Sequence, residues 1–289
     1  MPKLEHKSTE AAVNATIDAL WIYPVKSMRG LQLDSCQVTP EGLAGDRQWM
    51  VIDENGQFIS QRKLPAMALF SAAPTVTGVR LSHPEHGFIE VDRHECRNTV
   101  RASVWMTDME TRVAPKRVNQ WLNDALASKH TLSLVTLNPT YRRPLDNQRF
   151  GDHTTYFADA APILVANQES LEAFNRSLKF TKQLPEFSMA RFRPNIVIAG
   201  IPAFSEHHFK KLSFKGGQLN LIDHCQRCSI ITVNPQTGQA ENTADTFSLL
   251  ANLNGMPSKP KAPAFGVNSV VAHEHTSIVH TDMTITLTP

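Results

Sequence analysis

Between residues 15 and 105 no stretch of the chain keeps one hydrophobic phase for long. "ATIDALWIY", "LQLDSCQV", "QWMVID", "QFIS", "TVTGVRL", "FIEVD" and "TVRASVW" follow one another as short runs separated by Gly, Pro, Asn, Asp and charged residues. Side chains alternate across a strand with period two, so runs of this length and spacing predict strands and turns. Asn55-Gly56, between "MVID" and "QFIS", predicts a tight hairpin, because both residues tolerate the positive φ of such turns.

A helical period occurs only in the middle third. Val118, Trp121, Leu122 and Ala125 share one face over 115–127, and Leu171, Phe174 and Leu178 do so over 168–178. Strands resume with "PNIVIAG", "GQLNLID", "CSIITV", "NSVVAH" and "MTITL", while the Pro- and Lys-rich 252–264 reads as an exposed loop. Strands do not alternate regularly with helices. A mainly β fold with a few helices, of β-barrel type, is therefore expected in place of a doubly wound sheet. At 289 residues the chain accommodates two units, with a junction near 105–130.

The formal net charge is +2, which implies no general attraction to nucleic acid or to an anionic membrane. Any anion recognition must be local. Runs such as "NIVIAGI" are too short to span a bilayer, and "MPKLEHKSTEAAV" has no apolar core of signal-peptide length. Four cysteines do not make a disulfide scaffold. A cytoplasmic protein with neither a nucleic-acid nor a membrane partner is the expectation.

"DHCQRCSIITVNPQTG", residues 223–238, holds two of the four cysteines. A structural zinc site needs four ligands, so His224, His207 and His208 would have to complete the set. A thioredoxin-like motif places its first thiol at a helix N-terminus, whereas "SIITV" is strand-like. Two buried small residues at a strand start are the third reading. Arg227 between the thiols favours the thiolate form. In "YPVKSMRG", Lys26-Ser27 can hold a phosphate or be a solvated strand end. Arg47 in "GLAGDRQWMVID" can fork onto a phosphate or pair with Asp46. Arg191 and Arg193 in "ARFRPNIVIAG" share a side if the segment is extended, and serve either an anion or edge salt bridges. Asp159 in "FADAAPILVA" suits a helix or turn cap. His273 and His275 fit alternation across a late strand.

In this order "YPVKSMRG", "GLAGDRQWMVID", "FISQRKLPAM", "FADAAPILVANQESL", "FRPNIVIAG", "CQRCSIITVNPQTG" and "FGVNSVV" resemble the MOSC superfamily with its N-terminal β-barrel domain. The similarity is to bacterial YcbX-type proteins and mitochondrial amidoxime-reducing components, from about residue 16 to the end. It implies an N-terminal MOSC-associated β-barrel domain at 15–120 and a MOSC β-barrel domain at 121–289. It also implies a molybdenum cofactor, a pyranopterin dithiolene carrying one phosphate, with Cys228 as the metal-ligating and catalytic thiolate and Cys225 as a neighbour. Lys26, Ser27, Arg47, Arg193 and Asn195 fall on positions that the family uses for the pterin and its phosphate, with Arg227 beside the ligand. The implied reaction is reduction of N-hydroxylated compounds (hydroxylamines, amidoximes, N-hydroxylated bases) to amines or amidines. The alternative is a cofactor carrier or sulfur-transfer module. Asp159 and Asn268 are the proton-donor candidates.

Ile231 stands where the family often has threonine, and Met106 where it often has glycine. No ferredoxin-type cysteine set follows "MTITLTP". The expected electron source is therefore a separate ferredoxin- or flavin-type reductase.

Overall fold

The computed structural model describes residues 11–182, 184–241, 244–272 and 276–289. The signal-peptide reading of residues 1–10 and the alternation at His273 and His275 lie outside the described residues. Seven strands close a barrel: Ile163–Asn167, Ile196–Ala199, Val13–Ile22, Thr284–Thr288, Lys211–Phe214, Gly217–Gln226 and Lys259–Val271, the last pairing back onto the first. Neighbours are antiparallel except Ile163–Asn167 beside Ile196–Ala199. A parallel neighbour needs a long crossover, and helix Gln168–Ser177 lies in that connection. Asn167 caps it, accepting from Glu169 N at 3.1 Å. Closure leaves no open edge within the ring.

The barrel interior is aliphatic, with Ile17, Leu20, Ile163, Ile196, Ile198, Leu212 and Leu219 at 0 % exposure. On Val13–Ile22 the inward phase changes from Ala15 and Ile17 to Leu20 and Ile22, because the register slips between Ile17 and Ala19. An extra residue on one strand inverts the faces beyond it.

A second sheet runs in the order Trp49–Ile52, Ser133–Leu137, Thr107–Val113, Asn98–Val104, and a three-stranded sheet joins Ser71–Pro74, Gly78–His83 and Gly87–Asp92. Helix Lys116–Leu126 buries Val118, Leu122 and Leu126 in the core that holds Val25, Met28 and Trp49. The hydrogen-bonded sheets cross the 120/121 division of the chain in both directions. Val13–Ile22 is a stave of the later barrel, and Ser133–Leu137 pairs with Trp49–Ile52. Residues Asn55-Gly56 do form a turn, Gly56 at φ 75° with its N–H donating to Asp53 O at 3.0 Å.

Three local expectations are corrected. Segment 252–264 is not a plain loop. It carries the end of helix Ala244–Leu253 and a hairpin of Gly255–Met256 against the start of Lys259–Val271. "CSIITV" is not a strand: Ser229–Thr232 is a 3-10 turn that buries Ile231, closed by Thr232 Oγ1 donating to Ser229 O at 2.8 Å. Arg191 and Arg193 do not share a side, because Met189–Phe192 is a 3-10 turn ending in Arg193 at φ 57°. Arg191 turns to Glu241 at 2.9 Å. Among the described residues no helix is long and apolar enough to cross a membrane.

Candidate active site

Val13–Ile22 gives out at Tyr23-Pro24, where proline has no N–H to extend a ladder. The backbone then crosses to the second sheet, Lys26 N donating to Trp49 O at 2.7 Å, and Ser27 takes φ 66°. Ser27, Arg47, Trp105 and Arg193 are four of the seven non-glycine residues with positive φ among the described residues, and all four line one pocket of about 250 Å³. Each such residue costs roughly 1–3 kcal/mol, and backbone strain of this kind gathers at functional sites.

The same pocket takes Lys26, Asn195, Arg227 and Cys228. All seven side chains singled out in the sequence therefore converge, although they span positions 26 to 228. Asn195 is the hub. Its Oδ1 accepts from Arg47 Nη1 at 2.7 Å and Leu164 N at 3.1 Å, and its Nδ2 donates to Trp21 O at 3.2 Å. Arg47 also pairs with Asp46 at 2.6 Å and donates to Arg193 O at 3.1 Å. The choice between phosphate and Asp46 left open by the sequence has, within the protein, Asp46 as partner. Arg193 Nη1 donates to Met28 O at 2.7 Å, and burial pushes its pKa down to about 10, so it stays protonated at neutral pH.

Lys26 is buried and donates to Phe157 O at 2.8 Å and Asp159 Oδ1 at 2.5 Å. Burial lowers its pKa, with Asp159 opposing. Partial desolvation opposes charge on Asp159, whose side chain stays 62 % exposed, yet the adjacent Lys26 ammonium and the Trp105 indole N–H, 3.1 Å away, hold its carboxyl at about 2. Its role is thus not that of a helix or turn cap. A carboxyl at about 2 is charged at neutral pH, so Asp159 accepts hydrogen bonds there.

Cys225 is the next-to-last residue of Gly217–Gln226 and Cys228, exposed, heads the 3-10 turn; both line the pocket. Arg227 lies between them, 7 % exposed, donating from Nη1 to Cys225 Sγ at 3.0 Å and from Nη2 to Phe192 O at 2.8 Å. Its Nε is buried with no partner. Asn268 Nδ2 donates to Asp223 Oδ1 at 2.8 Å, and Asp223 receives Arg149 in a fork at 2.5 and 2.9 Å. Neither Arg149 nor Trp105 was marked by the sequence as a site residue. Arg149 takes its partner from 74 positions away, which no local pattern signals. Met106, beside Trp105, is 99 % exposed and is absent from the pocket lining.

Five cations line the pocket (Lys26, Arg47, Arg149, Arg193, Arg227), against Asp159 in the lining and Asp46 and Asp223 behind it. The lining thus carries a local positive excess on a chain whose net charge is nearly zero. Among the described residues no group of three His, Cys, Asp or Glu side chains is placed to hold a metal. His207 and His224, needed for the zinc reading, instead stack face to face at 3.8 Å.

Residues 14–129 match the MOSC N-terminal beta barrel domain and residues 152–285 the MOSC domain. The mitochondrial amidoxime-reducing component 1 of Xenopus laevis is 28 % identical over 233 residues, covering 77 % of this chain and 66 % of that protein. The molybdenum cofactor sulfurase of Drosophila melanogaster is 31 % identical over 245 residues, covering 80 % of this chain and 29 % of that protein. The chain thus spans just under two thirds of the first relative and under a third of the second. The YuaD protein of Bacillus subtilis, a solved structure, aligns over 96 % of this chain and 97 % of its own at 11 % identity and a TM-score of 0.42. With both domain matches in order along one chain, the protein belongs to the MOSC superfamily, as a MOSC domain preceded by its N-terminal β-barrel domain.

Proposed function

We propose that the protein binds a molybdenum cofactor and reduces N-hydroxylated compounds to amines or amidines. The observation that carries this reading is the single pocket lined by an exposed thiol, Cys228, and five cations. A pyranopterin with a phosphate is anionic and takes one protein thiolate, and two features fit it. The buried Arg227 Nε is a donor without a partner, and Cys228 is accessible and unpaired. A soft thiolate suits such a metal, and no further protein ligand is needed.

Cys228 would hold the metal, while Lys26, Ser27, Arg47, Arg193 and Asn195 would hold the pterin and phosphate, with Arg227 at the thiol end. When bound, the cofactor supplies two-electron redox chemistry with oxygen transfer. In the net reaction a hydroxylamine takes two electrons and two protons and leaves as amine and water. Asp159 keeps Lys26 and Trp105 oriented at the pocket wall, with its carboxylate charged. Asn268 has no titratable proton and orients Asp223. The electrons would come from a separate ferredoxin- or flavin-type reductase.

A second reading, a cofactor carrier or sulfur-transfer module, is favoured by one observation: a second thiol, Cys225, lines the same pocket and accepts a hydrogen bond from Arg227. The test uses protein made in a host that synthesises molybdenum cofactor. Molybdenum and pterin are quantified, and an aromatic amidoxime is offered with chemically reduced viologen. Loaded protein that forms the amidine supports the reductase. Loaded but inactive protein favours the carrier, and protein free of both molybdenum and pterin overturns both readings.

A further inference from the structure

Tyr23 has no place in the reaction above, and its surroundings are unusual. The ring is 0 % exposed and has two guanidinium groups against it, Arg47 Cζ 4.4 Å and Arg193 Cζ 4.2 Å from its centroid. Both arginines line the pocket and both have left-handed backbone, so neither has a relaxed alternative close by. The phenol oxygen has no hydrogen-bond partner. A buried hydroxyl left unsatisfied is a cost, so what favours the residue is its ring. Burial pushes the phenol's pKa up, so it stays neutral and cancels neither cation. Aromatic rings attract guanidinium groups, so one buried ring can bind both of these like charges at fixed places.

The ring's own position is set by Gly30. A Cβ there would come 2.5 Å from Tyr23 Cε1 and 3.1 Å from Trp21 Cε3. Real Cβ atoms do not approach so closely, and a fully buried ring with two guanidinium groups against it cannot slide aside cheaply.

We infer that Tyr23 is a positioning residue, whose ring holds Arg47 and Arg193 in place and aims both at one anionic group in the pocket. The inference rests on the proposed cofactor reading, in which both arginines hold the pterin and phosphate. The phenol hydroxyl has no part in it.

The experiment compares wild type with Tyr23→Phe, Tyr23→Leu and Gly30→Ala, all made in the cofactor-competent host. Molybdenum and pterin content, the half-life of cofactor retention during dialysis and the far-ultraviolet circular dichroism are measured. Tyr23→Phe is expected to match wild type in content and half-life within twofold. Tyr23→Leu is expected to shorten the half-life about tenfold with the β spectrum intact, and Gly30→Ala to shorten it in the same direction. A loaded wild type with Tyr23→Leu and Gly30→Ala equally retentive would overturn the inference alone. So would a Tyr23→Phe protein as leaky as Tyr23→Leu, since the hydroxyl would then be what matters. A wild type without molybdenum or pterin would overturn the cofactor reading and this inference with it. If Tyr23→Leu does not fold, Gly30→Ala against Tyr23→Phe decides between the same outcomes.

Discussion

Replacing Asn195 by alanine tests the site where fold and cations meet. The side chain is 1 % exposed and satisfies three groups: the Arg47 guanidinium at 2.7 Å, the Leu164 N–H at 3.1 Å and the Trp21 carbonyl at 3.2 Å. A bond to a charged donor contributes about 1.5–3 kcal/mol, and each buried backbone group left without a partner costs about 1–3 kcal/mol. Arg47 keeps Asp46 and Arg193 O, so the charge itself is not stranded. With the Arg47 share set aside, the two backbone groups make the loss expected for Asn195→Ala roughly 2–6 kcal/mol, below most of the stability range of native domains. Asn195→Asp separates stability from anion binding. It keeps acceptors for Arg47 and Leu164, loses the donor to Trp21 and adds a negative charge beside the cations. Its expected stability loss is about 1–2 kcal/mol, with molybdenum content falling at least as far as in Asn195→Ala. Urea unfolding followed by tryptophan fluorescence gives the stabilities, and elemental analysis gives the metal. An Asn195→Ala protein within about 1 kcal/mol of wild type would refute the three-bond account. So would an Asn195→Asp protein that keeps full molybdenum.

Cys228→Ser is expected to lower molybdenum content at least tenfold, while Cys225→Ser keeps more than half. Equal losses by elemental analysis would undo the distinction between the thiols. Away from the site, burial raises the Glu206 carboxyl from 4.5 to about 7, against bonds from Ser170 and Asn167. A carboxyl raised on folding contributes its stability fully below pH 4.5 and loses it as pH climbs through about 7, a fall of about 3 kcal/mol. Urea midpoints of wild type and Glu206→Gln should therefore diverge between pH 5 and 8, with the variant the more stable at pH 8. Parallel curves would show that the glutamate is not held neutral.

Much of the site was legible because its chemistry is carried by short motifs. Lys26-Ser27, Arg47, Arg193-Pro-Asn195 and Arg227-Cys228 each sit at the end of a strand-like run, and strand ends are where a barrel presents side chains to a ligand. Tyr23 was illegible because a tyrosine closing an apolar run reads as core, and nothing local says that two arginines lie against it. The fork between Arg149 and Asp223 depends on tertiary packing alone. "SIITV" misled through its β-branched residues: the burial of Ile231 is achieved from a 3-10 turn, so packing overrode propensity. The prolines of 252–264 pointed to a loop, but Pro260 and Pro263 lie where Lys259–Val271 meets only the short Gly255–Met256 strand. Proline is tolerated at such a margin of a sheet.

The geometry also explains how one pocket holds five cations against the one carboxylate, Asp159, in its lining. Each is tied on its far side to something fixed: Lys26 to the Phe157 carbonyl, Arg47 to Asp46 and Asn195, Arg193 to the Met28 carbonyl, Arg227 to the Phe192 carbonyl, Arg149 to Asp223. Three of these five anchors are backbone carbonyls, those of Phe157, Met28 and Phe192, and the other two are side chains fixed elsewhere in the fold. Like charges brought together in a low dielectric repel, and left-handed backbone at Ser27, Arg47 and Arg193 adds strain. Both costs are met when the protein folds, so an entering anion meets side chains that need little further ordering. It also relieves the repulsion. Anion binding and fold stability are therefore coupled at this pocket, and Asn195→Ala should lower both.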